Sequence, residues 1–135
     1  MFKVFVYGSL RKGLSNDINN MAERLGAEIE FLGLDTIEAE MYSLTYFPAI
    51  SFKEGSDNNV QVLGEVYEVK TKAEVMLETL DALEGYPSFY NRKEIDTEFG
   101  KAWVYFIENP HSTSVLLDTG NWVEYIETKL SKKGE

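Results

Sequence analysis

The chain has 135 residues, 44% of them hydrophobic, and its 23 acidic against 13 basic residues give a formal net charge of −10. This length predicts a single domain that spans residues 1–135. Because the chain has no cysteine and one histidine, disulfides, thiolate metal sites, cysteine nucleophiles and His-rich zinc sites are excluded. A carboxylate Mg²⁺ or Ca²⁺ site stays open, although no EF-hand spacing occurs.

The acidic balance argues against nucleic acid and anionic membranes as partners, since both are repelled at long range. We favour solubility over a cationic partner as the reason for the acidity. A small anionic substrate is compatible with it where Arg11, Lys12 and loop N–H groups offset the negative field. No apolar segment approaches the roughly 20 residues that cross a bilayer, and the first residues resemble a strand and not a signal peptide. We therefore expect a cytoplasmic monomer or weak dimer.

The first predicted element is an apolar strand that runs into a loop with Gly8 and Gly13 at its ends. Backbone can approach a ligand closely at glycines, and exposed N–H groups can face an anion or a developing oxyanion. A nucleotide phosphate loop is one interpretation, but Leu14 occupies the position of the essential lysine. A serine nucleophile is a second, but Ser9 directly follows Gly8, and His111 has no evident link to Ser9. The third is a turn without chemistry.

Periodicity predicts three helices and several strands along the rest of the chain. The first helix covers residues 16–25 and ends at Gly26. Two further helices cover about residues 72–84 and 122–130, each opened by a capping box, Thr71 with Glu74 and Asn121 with Glu124. Strands are predicted over residues 28–44 with a break near Gly33, over 61–69, and over 92–107 as a hairpin around residues 99–101.

The order of these elements predicts the fold class. Most strands follow one another without an intervening helix, which argues against a parallel sheet built from βαβ units. We therefore predict an α+β domain. In it a mainly antiparallel, strongly curved sheet or small β-barrel is flanked by two or three helices.

One acid of the second helix falls on its apolar side. At about 100° per residue, Glu74, Glu78 and Asp81 share a face that we expect to meet solvent, while Glu84 falls between Leu77 and Leu80. Partial burial and the negative end of the helix dipole would both raise the pKa of Glu84. Such a glutamate can act as a general acid or base near neutral pH. The alternative is fraying, in which the side chain swings out to water.

The segment after Glu84 is rich in aromatic residues. Tyr86, Phe89 and Tyr90 can wall a pocket beside Glu84, with Tyr90 or Arg92 as a hydrogen-bond donor. Alternatively, the segment is a packed connection to the next strand, and Arg92 pairs with one of the many acids.

Two motifs are more specific as a pair than either is alone. One is the loop Tyr7-Gly8-Ser9-Leu10, and the other is residues 80–85 (Leu-Asp-Ala-Leu-Glu-Gly) with residues 90–92 (Tyr-Asn-Arg) behind it. Together they resemble the γ-glutamylcyclotransferase-like family, of the γ-glutamylamine cyclotransferase type. Weaker similarities extend over nearly the whole chain, at residues 46–49, 62–67, 102–105 and 119–122, although Asn121 stands where an aspartate is expected.

The resemblance implies a small barrel with flanking helices and a cavity in which the loop faces the glutamate. It also implies release of 5-oxoproline from γ-glutamyl amines or γ-glutamyl amino acids by a cofactor-independent, metal-free enzyme of the amine-lyase class. The substrate's own α-amine attacks its γ-carbonyl, so the protein needs no nucleophile. Carried onto this chain, the catalytic acid/base is Glu84, and the substrate-binding residues are Tyr7, Gly8, Ser9, Leu10 and Tyr90.

Two other functions stay open. One is a non-catalytic binding module that captures a small zwitterion in the same cavity. The other is removal of a γ-glutamyl protecting group from a biosynthetic intermediate, which is the same chemistry on a larger substrate. The intact Glu84 favours the two enzymes over the binding module.

Overall fold

A computed structural model describes residues 1–133 of the chain. Its strands are β1 (Phe2–Val6), β2 (Ile29–Ser43), β3 (Pro48–Ser51), β4 (Val60–Val69), β5 (Asn91–Thr97), β6 (Gly100–Phe106) and β7 (Val115–Leu116). Its helices are α1 (Ile18–Leu25), α2 (Ala73–Glu84) and α3 (Trp122–Lys133). None of these helices is both long and apolar enough to span a membrane.

The strands form one sheet in the order β3-β2-β4-β1-β6-β5, with β7 paired to β2. Every pairing is antiparallel except that of β1 with β6. The predicted α+β class, with a mostly antiparallel sheet and three helices, is confirmed. The barrel alternative is wrong, because within residues 1–133 the sheet is not closed. Strand β2 pairs with β4 through residues 29–39 and with β3 through residues 40–43, so the sheet grows along β2 instead of closing.

Strand β1 lies inside the sheet, and its alternate side chains enter two hydrophobic clusters. Val4 and Val6 pack with residues of α1 and α2, whereas Phe5 and Tyr7 pack in a cluster that contains Trp122 of α3. Burial on both faces explains why the last three residues of this short strand, Val4, Phe5 and Val6, are all apolar. It also fixes the position of the loop that follows, because the strand cannot shift without exposing one set of side chains.

Several boundaries differ from the predicted ones for local reasons. Strand β2 is continuous, with an irregularity between Phe31 and Gly33 in place of a break. The predicted capping box of α2 is wrong, since Lys72 precedes the helix at φ 54° and no side chain caps it. The Thr71 hydroxyl instead accepts a hydrogen bond from the Glu28 N–H at 2.8 Å.

Other predicted boundaries are confirmed. Helices α1 and α2 end at Gly26 and Gly85, both in the left-handed region, as predicted. Asn121 Oδ1 accepts the Glu124 N–H at 3.2 Å, which is one half of the predicted capping box of α3, whereas the Asn121 N–H donates to Thr119 Oγ1 at 3.2 Å and not to Glu124. The hairpin of β5 and β6 is confirmed as well. The short strands β3 and β7 were not predicted, because four and two residues carry too little periodicity.

Candidate active site

A cavity of about 460 Å³ lies between the loop after β1 and the last turn of α2. Its lining brings together all six residues singled out in the sequence, namely Tyr7, Gly8, Ser9, Leu10, Glu84 and Tyr90. The first four follow β1, and the other two flank the turn that leads from α2 to β5. Residues about 75 positions apart therefore meet because β1 and α2 pack in one hydrophobic cluster.

Glu84 is the last residue of α2 and forms part of the cavity wall. It is only partly exposed, and burial raises the pKa of its carboxyl to about 7. A carboxyl with this pKa is populated in both protonation states near neutrality. The fraying alternative does not describe the side chain, since it lines the cavity.

Three tyrosines surround Glu84, yet none of their hydroxyls donates to it. Tyr7, Tyr90 and Tyr105 all line the cavity. Their hydroxyls donate to the carbonyl oxygen of Tyr105 (2.8 Å), the carbonyl oxygen of Pro48 (2.7 Å) and Asp81 Oδ1 (2.7 Å), respectively. Burial raises the pKa of all three hydroxyls, and the charge of Glu84 raises each further. The Glu84 carboxylate therefore accepts no hydrogen bond from these tyrosines and can exchange its proton with a ligand.

The loop that faces Glu84 approaches a neighbouring strand very closely. A side chain on Gly8 would place its Cβ 2.7 Å from Pro48 Cγ, so this position requires glycine. No acceptor for the N–H groups of Gly8, Ser9 or Leu10 occurs among the residues that the structure describes. Three consecutive backbone N–H groups in the cavity lining therefore have no protein acceptor within residues 1–133.

Glu65, a buried acid of β4 outside the cavity lining, is hydrogen-bonded to the loop. Glu65 accepts hydrogen bonds from Arg11 Nε (3.0 Å), the Lys12 N–H (2.9 Å) and the Tyr67 hydroxyl (2.8 Å). Arg11 does not itself line the cavity, because its guanidinium pairs with Glu65 at 3.0 Å. Sequence reasoning missed Glu65, although it stands as an acid among alternating apolar residues of a strand.

Asp81 does not face solvent, contrary to the helical-wheel prediction. It accepts two hydrogen bonds from Arg92, at 2.8 Å from Nε and 3.1 Å from Nη2, besides the one from Tyr105. Arg92 is held between the rings of Tyr86 and Trp103, at 4.5 and 4.4 Å from their centroids. Phe89 and Tyr90 line the cavity as expected, whereas Tyr86 and Arg92 lie outside its lining.

The two other interpretations of the glycine loop receive no support from its neighbours. Ser9 Oγ accepts a hydrogen bond from Asn16 Nδ2 at 3.1 Å, and His111 is absent from the cavity lining. No lysine lines the cavity among the described residues, as a phosphate loop would require. Within residues 1–133, no group of three acids or histidines is arranged to hold a metal ion.

The fold and the site define a small α+β protein in which a glycine-loop cavity faces one partly buried glutamate, Glu84. Residues 4–124 match the family model described as "Gamma-glutamyl cyclotransferase, AIG2-like". The chain belongs to this family.

Curated relatives and solved structures agree with the assignment. A Vibrio cholerae protein provisionally named a γ-glutamylcyclotransferase is 35% identical over 123 residues, covering 91% of this chain and 96% of that protein. The solution structure of YtfP from Escherichia coli has a TM-score of 0.64 at 30% identity, covering 93% of this chain and 99% of that one. A crystal structure from Pyrococcus horikoshii has a TM-score of 0.70 at 26% identity, covering 97% of this chain and 98% of that one.

Proposed function

We propose that this protein is a γ-glutamylcyclotransferase that releases 5-oxoproline from a γ-glutamyl amine or γ-glutamyl amino acid, with Glu84 as general acid/base. The observation that carries the proposal is the pairing of two features in one cavity. A glutamate with a pKa of about 7 faces a loop with three free N–H donors. No cofactor is part of the proposal.

In this proposal the backbone N–H groups of the loop bind the γ-glutamyl half of the substrate. The N–H groups of Gly8, Ser9 and Leu10 would bind the α-carboxylate or the oxygen of the γ-carbonyl, which becomes an oxyanion during attack. Donors that are fixed before the reaction cost no reorganisation when charge develops. The Glu65 carboxylate supports this arrangement, because it holds the next two residues of the loop in place.

The chemistry needs one proton carrier and no protein nucleophile. Glu84 takes a proton from the α-ammonium, and the α-amine attacks the γ-carbonyl carbon to close a five-membered ring. Tethering of the amine to the carbonyl supplies a large effective molarity. The tetrahedral intermediate then collapses as Glu84 gives its proton to the leaving nitrogen. The second proton of the ring nitrogen passes to the released amine, so the products are 5-oxoproline and an ammonium ion.

The test is incubation with a panel of γ-glutamyl compounds, with 5-oxoproline measured by mass spectrometry. We expect turnover by the wild type and a loss of about 10²–10⁴-fold in kcat in Glu84→Gln, because the amide cannot carry a proton. Glu78→Gln is the matched control, since Glu78 is an exposed acid of the same helix and lies outside the cavity lining.

The outcomes separate the competing functions. Wild-type release of 5-oxoproline by Glu84→Gln would remove Glu84 from the mechanism. Binding of γ-glutamyl compounds by calorimetry without any product from the wild type would instead identify a binding module. Turnover confined to larger capped amines would identify removal of a γ-glutamyl protecting group.

A further inference from the structure

A second cavity, of about 620 Å³, adjoins the proposed active site. Phe47 and Phe89 line both cavities, and their rings meet edge to face with centroids 6.2 Å apart. Phe89 also meets the ring of Tyr90 edge to face at 4.9 Å. A row of three aromatic rings therefore leads from the residue beside Glu84 to the second cavity. The turn that carries Phe47 is closed by a hydrogen bond from the Leu44 N–H to the Phe47 carbonyl at 2.9 Å.

The charges around the second cavity disfavour an anionic occupant. Among the described residues that line it, none is lysine or arginine, whereas Glu108 contributes a carboxylate. His111 also lines the second cavity, where its Nδ1 lies 3.1 Å from the backbone nitrogen of Thr113 and 2.8 Å from the Thr113 hydroxyl. A carboxylate held in the second cavity would have no lysine or arginine partner in the part of its lining that the structure describes, and the cost of its desolvation would not be offset.

The shared wall favours an apolar occupant instead. Phe89 remains 52% exposed and Phe47 38% exposed, although both rings sit at the junction of two cavities. Leu44 and Ile107 add aliphatic surface to the second cavity. An aromatic ring placed against this wall would bury exposed apolar surface and gain edge-to-face contacts.

We propose that the second cavity receives the amine half of the γ-glutamyl substrate, and that Phe47 and Phe89 select an aromatic or otherwise apolar amine without a carboxylate. The inference rests on the proposed function, because the expelled amine is a product of that reaction. The γ-glutamyl half occupies the cavity of Glu84, and the bond to be broken lies beside the aromatic row.

Four substrates test the two parts of this specificity separately. They form two pairs that differ by one carboxylate: γ-glutamylglycine with γ-glutamylmethylamide, and γ-glutamylphenylalanine with γ-glutamylphenethylamide. We expect the phenethylamide to exceed the methylamide at least tenfold in kcat/KM, and each neutral amide to exceed its carboxylate partner. Equal kcat/KM across the four, or preference for the carboxylate members, would overturn the inference while leaving the cyclotransferase intact. Absence of 5-oxoproline from all four would instead overturn the proposed function.

Substitution of the shared rings assigns the selection to them. Phe47→Leu and Phe89→Leu keep an apolar side chain but lose the ring, so we expect kcat/KM for the phenethylamide to fall at least fivefold more than kcat/KM for the methylamide. Phe31→Leu is the matched control, because Phe31 is 52% exposed like Phe89 but lies outside both cavity linings. An equal loss on both substrates, or the same loss in Phe31→Leu, would contradict a selective role.

A blocking substitution tests the use of the second cavity itself. Ser88 is exposed and lines that cavity but not the first, so Ser88→Trp places an indole ring at the second cavity. We expect kcat/KM for the phenethylamide to fall at least fivefold more than kcat/KM for the methylamide. Ser112→Trp, on an exposed residue outside both linings, controls for a surface tryptophan. Unchanged turnover of the phenethylamide by Ser88→Trp, with a wild-type thermal melt, would show that the amine lies elsewhere.

Discussion

At the residue scale, Glu84 combines a location and a protonation state that a surface glutamate does not have. Its carboxylate lines a cavity in which the neighbouring tyrosine hydroxyls donate to other acceptors. Burial, rather than a nearby charge, raises its pKa to about 7. Two measurements follow from this pKa, one of catalysis and one of stability.

The first prediction concerns the pH dependence of turnover. As a general base, Glu84 must be deprotonated, so kcat/KM should rise with pH through a limb near the pKa of about 7. The limb should move in Glu84→Asp and stay in place in Glu78→Gln, because only the first variant changes the titrating group. A limb at the same pH in all three proteins would belong to the substrate ammonium and would contradict a tuned carboxylate.

The second prediction concerns stability. The pKa of Glu84 is about 7 in the folded protein and 4.5 for an unperturbed glutamate, so the folded state holds the proton more tightly. Between these two values the folded state binds more protons than the unfolded state, and the free energy of unfolding therefore falls as pH rises. Glu84→Gln removes this loss. We expect the free energy of unfolding of Glu84→Gln to equal that of the wild type near pH 4 and to exceed it by on the order of 1–3 kcal/mol at pH 8.

Urea unfolding of both proteins at these two pH values measures the difference. Glu78→Gln again serves as the control, since Glu78 is exposed. A free-energy difference between Glu84→Gln and the wild type that does not change with pH would show that burial of Glu84 does not shift its pKa.

At the element scale, α2 is joined to the sheet through Asp81, one turn before Glu84. The Asp81 carboxylate accepts from Arg92 of β5 and from Tyr105 of β6, so two strands hold the end of the helix that carries the proposed acid/base. Hydrogen bonds to a charged acceptor contribute about 1.5–3 kcal/mol each. Asp81 is therefore a positioning residue and cannot serve as an inert control for Glu84.

Tyr105→Phe tests this role without removing the ion pair. We expect it to lower the free energy of unfolding by about 1–2 kcal/mol and to lower kcat several-fold with little change in KM, because the helix end shifts relative to the loop. Tyr42→Phe is the matched control, since the Tyr42 hydroxyl donates to the Glu40 carboxylate at 2.8 Å outside the cavity lining. If Tyr42→Phe loses stability equally and loses kcat as well, the effect on kcat is one of general stability.

At the scale of the whole molecule, the two hydrophobic clusters meet at the sheet, and α3 closes the one that contains Phe5 and Tyr7. The chain enters α3 through Gly120, whose carbonyl accepts the Leu63 N–H of β4 at 2.9 Å. A Cβ on Gly120 would overlap the Gln61 carbonyl oxygen, which belongs to the backbone and cannot move aside alone. The approach of α3 to the sheet therefore depends on this glycine.

Gly120→Ala should accordingly destabilise the whole domain, by at least about 2 kcal/mol, because Trp122 loses its packing when the backbone moves. Gly55→Ala is the control. Gly55 has φ 72°, but nothing lies within 4 Å of its Cβ position, so it reports the backbone cost alone, about 1 kcal/mol. A melting temperature of Gly120→Ala equal to that of Gly55→Ala would contradict the close approach.

The cytoplasmic location and the monomeric or weakly dimeric state stay predictions.

The sequence by itself determined those features that depend on neighbouring residues. The ends of α1 and α2 at glycines, the hairpin of β5 and β6 and the mostly antiparallel class follow from local periodicity and from backbone freedom at glycine. The location of Glu84 on the apolar side of its helix could also be predicted, since a helical wheel needs only the residues of the helix. The family followed from two motifs, each of them short and contiguous.

Only the tertiary structure decided the features that join distant segments. Asp81 meets Tyr105 across 24 positions and Glu65 meets Arg11 across 54, so neither partner could be read from local spacing. The wheel placed Asp81 in solvent because it does not include the strands that cover that edge of α2. The open sheet, the free loop N–H groups and the second cavity have the same origin, since strand pairing and cavity shape depend on how whole elements pack.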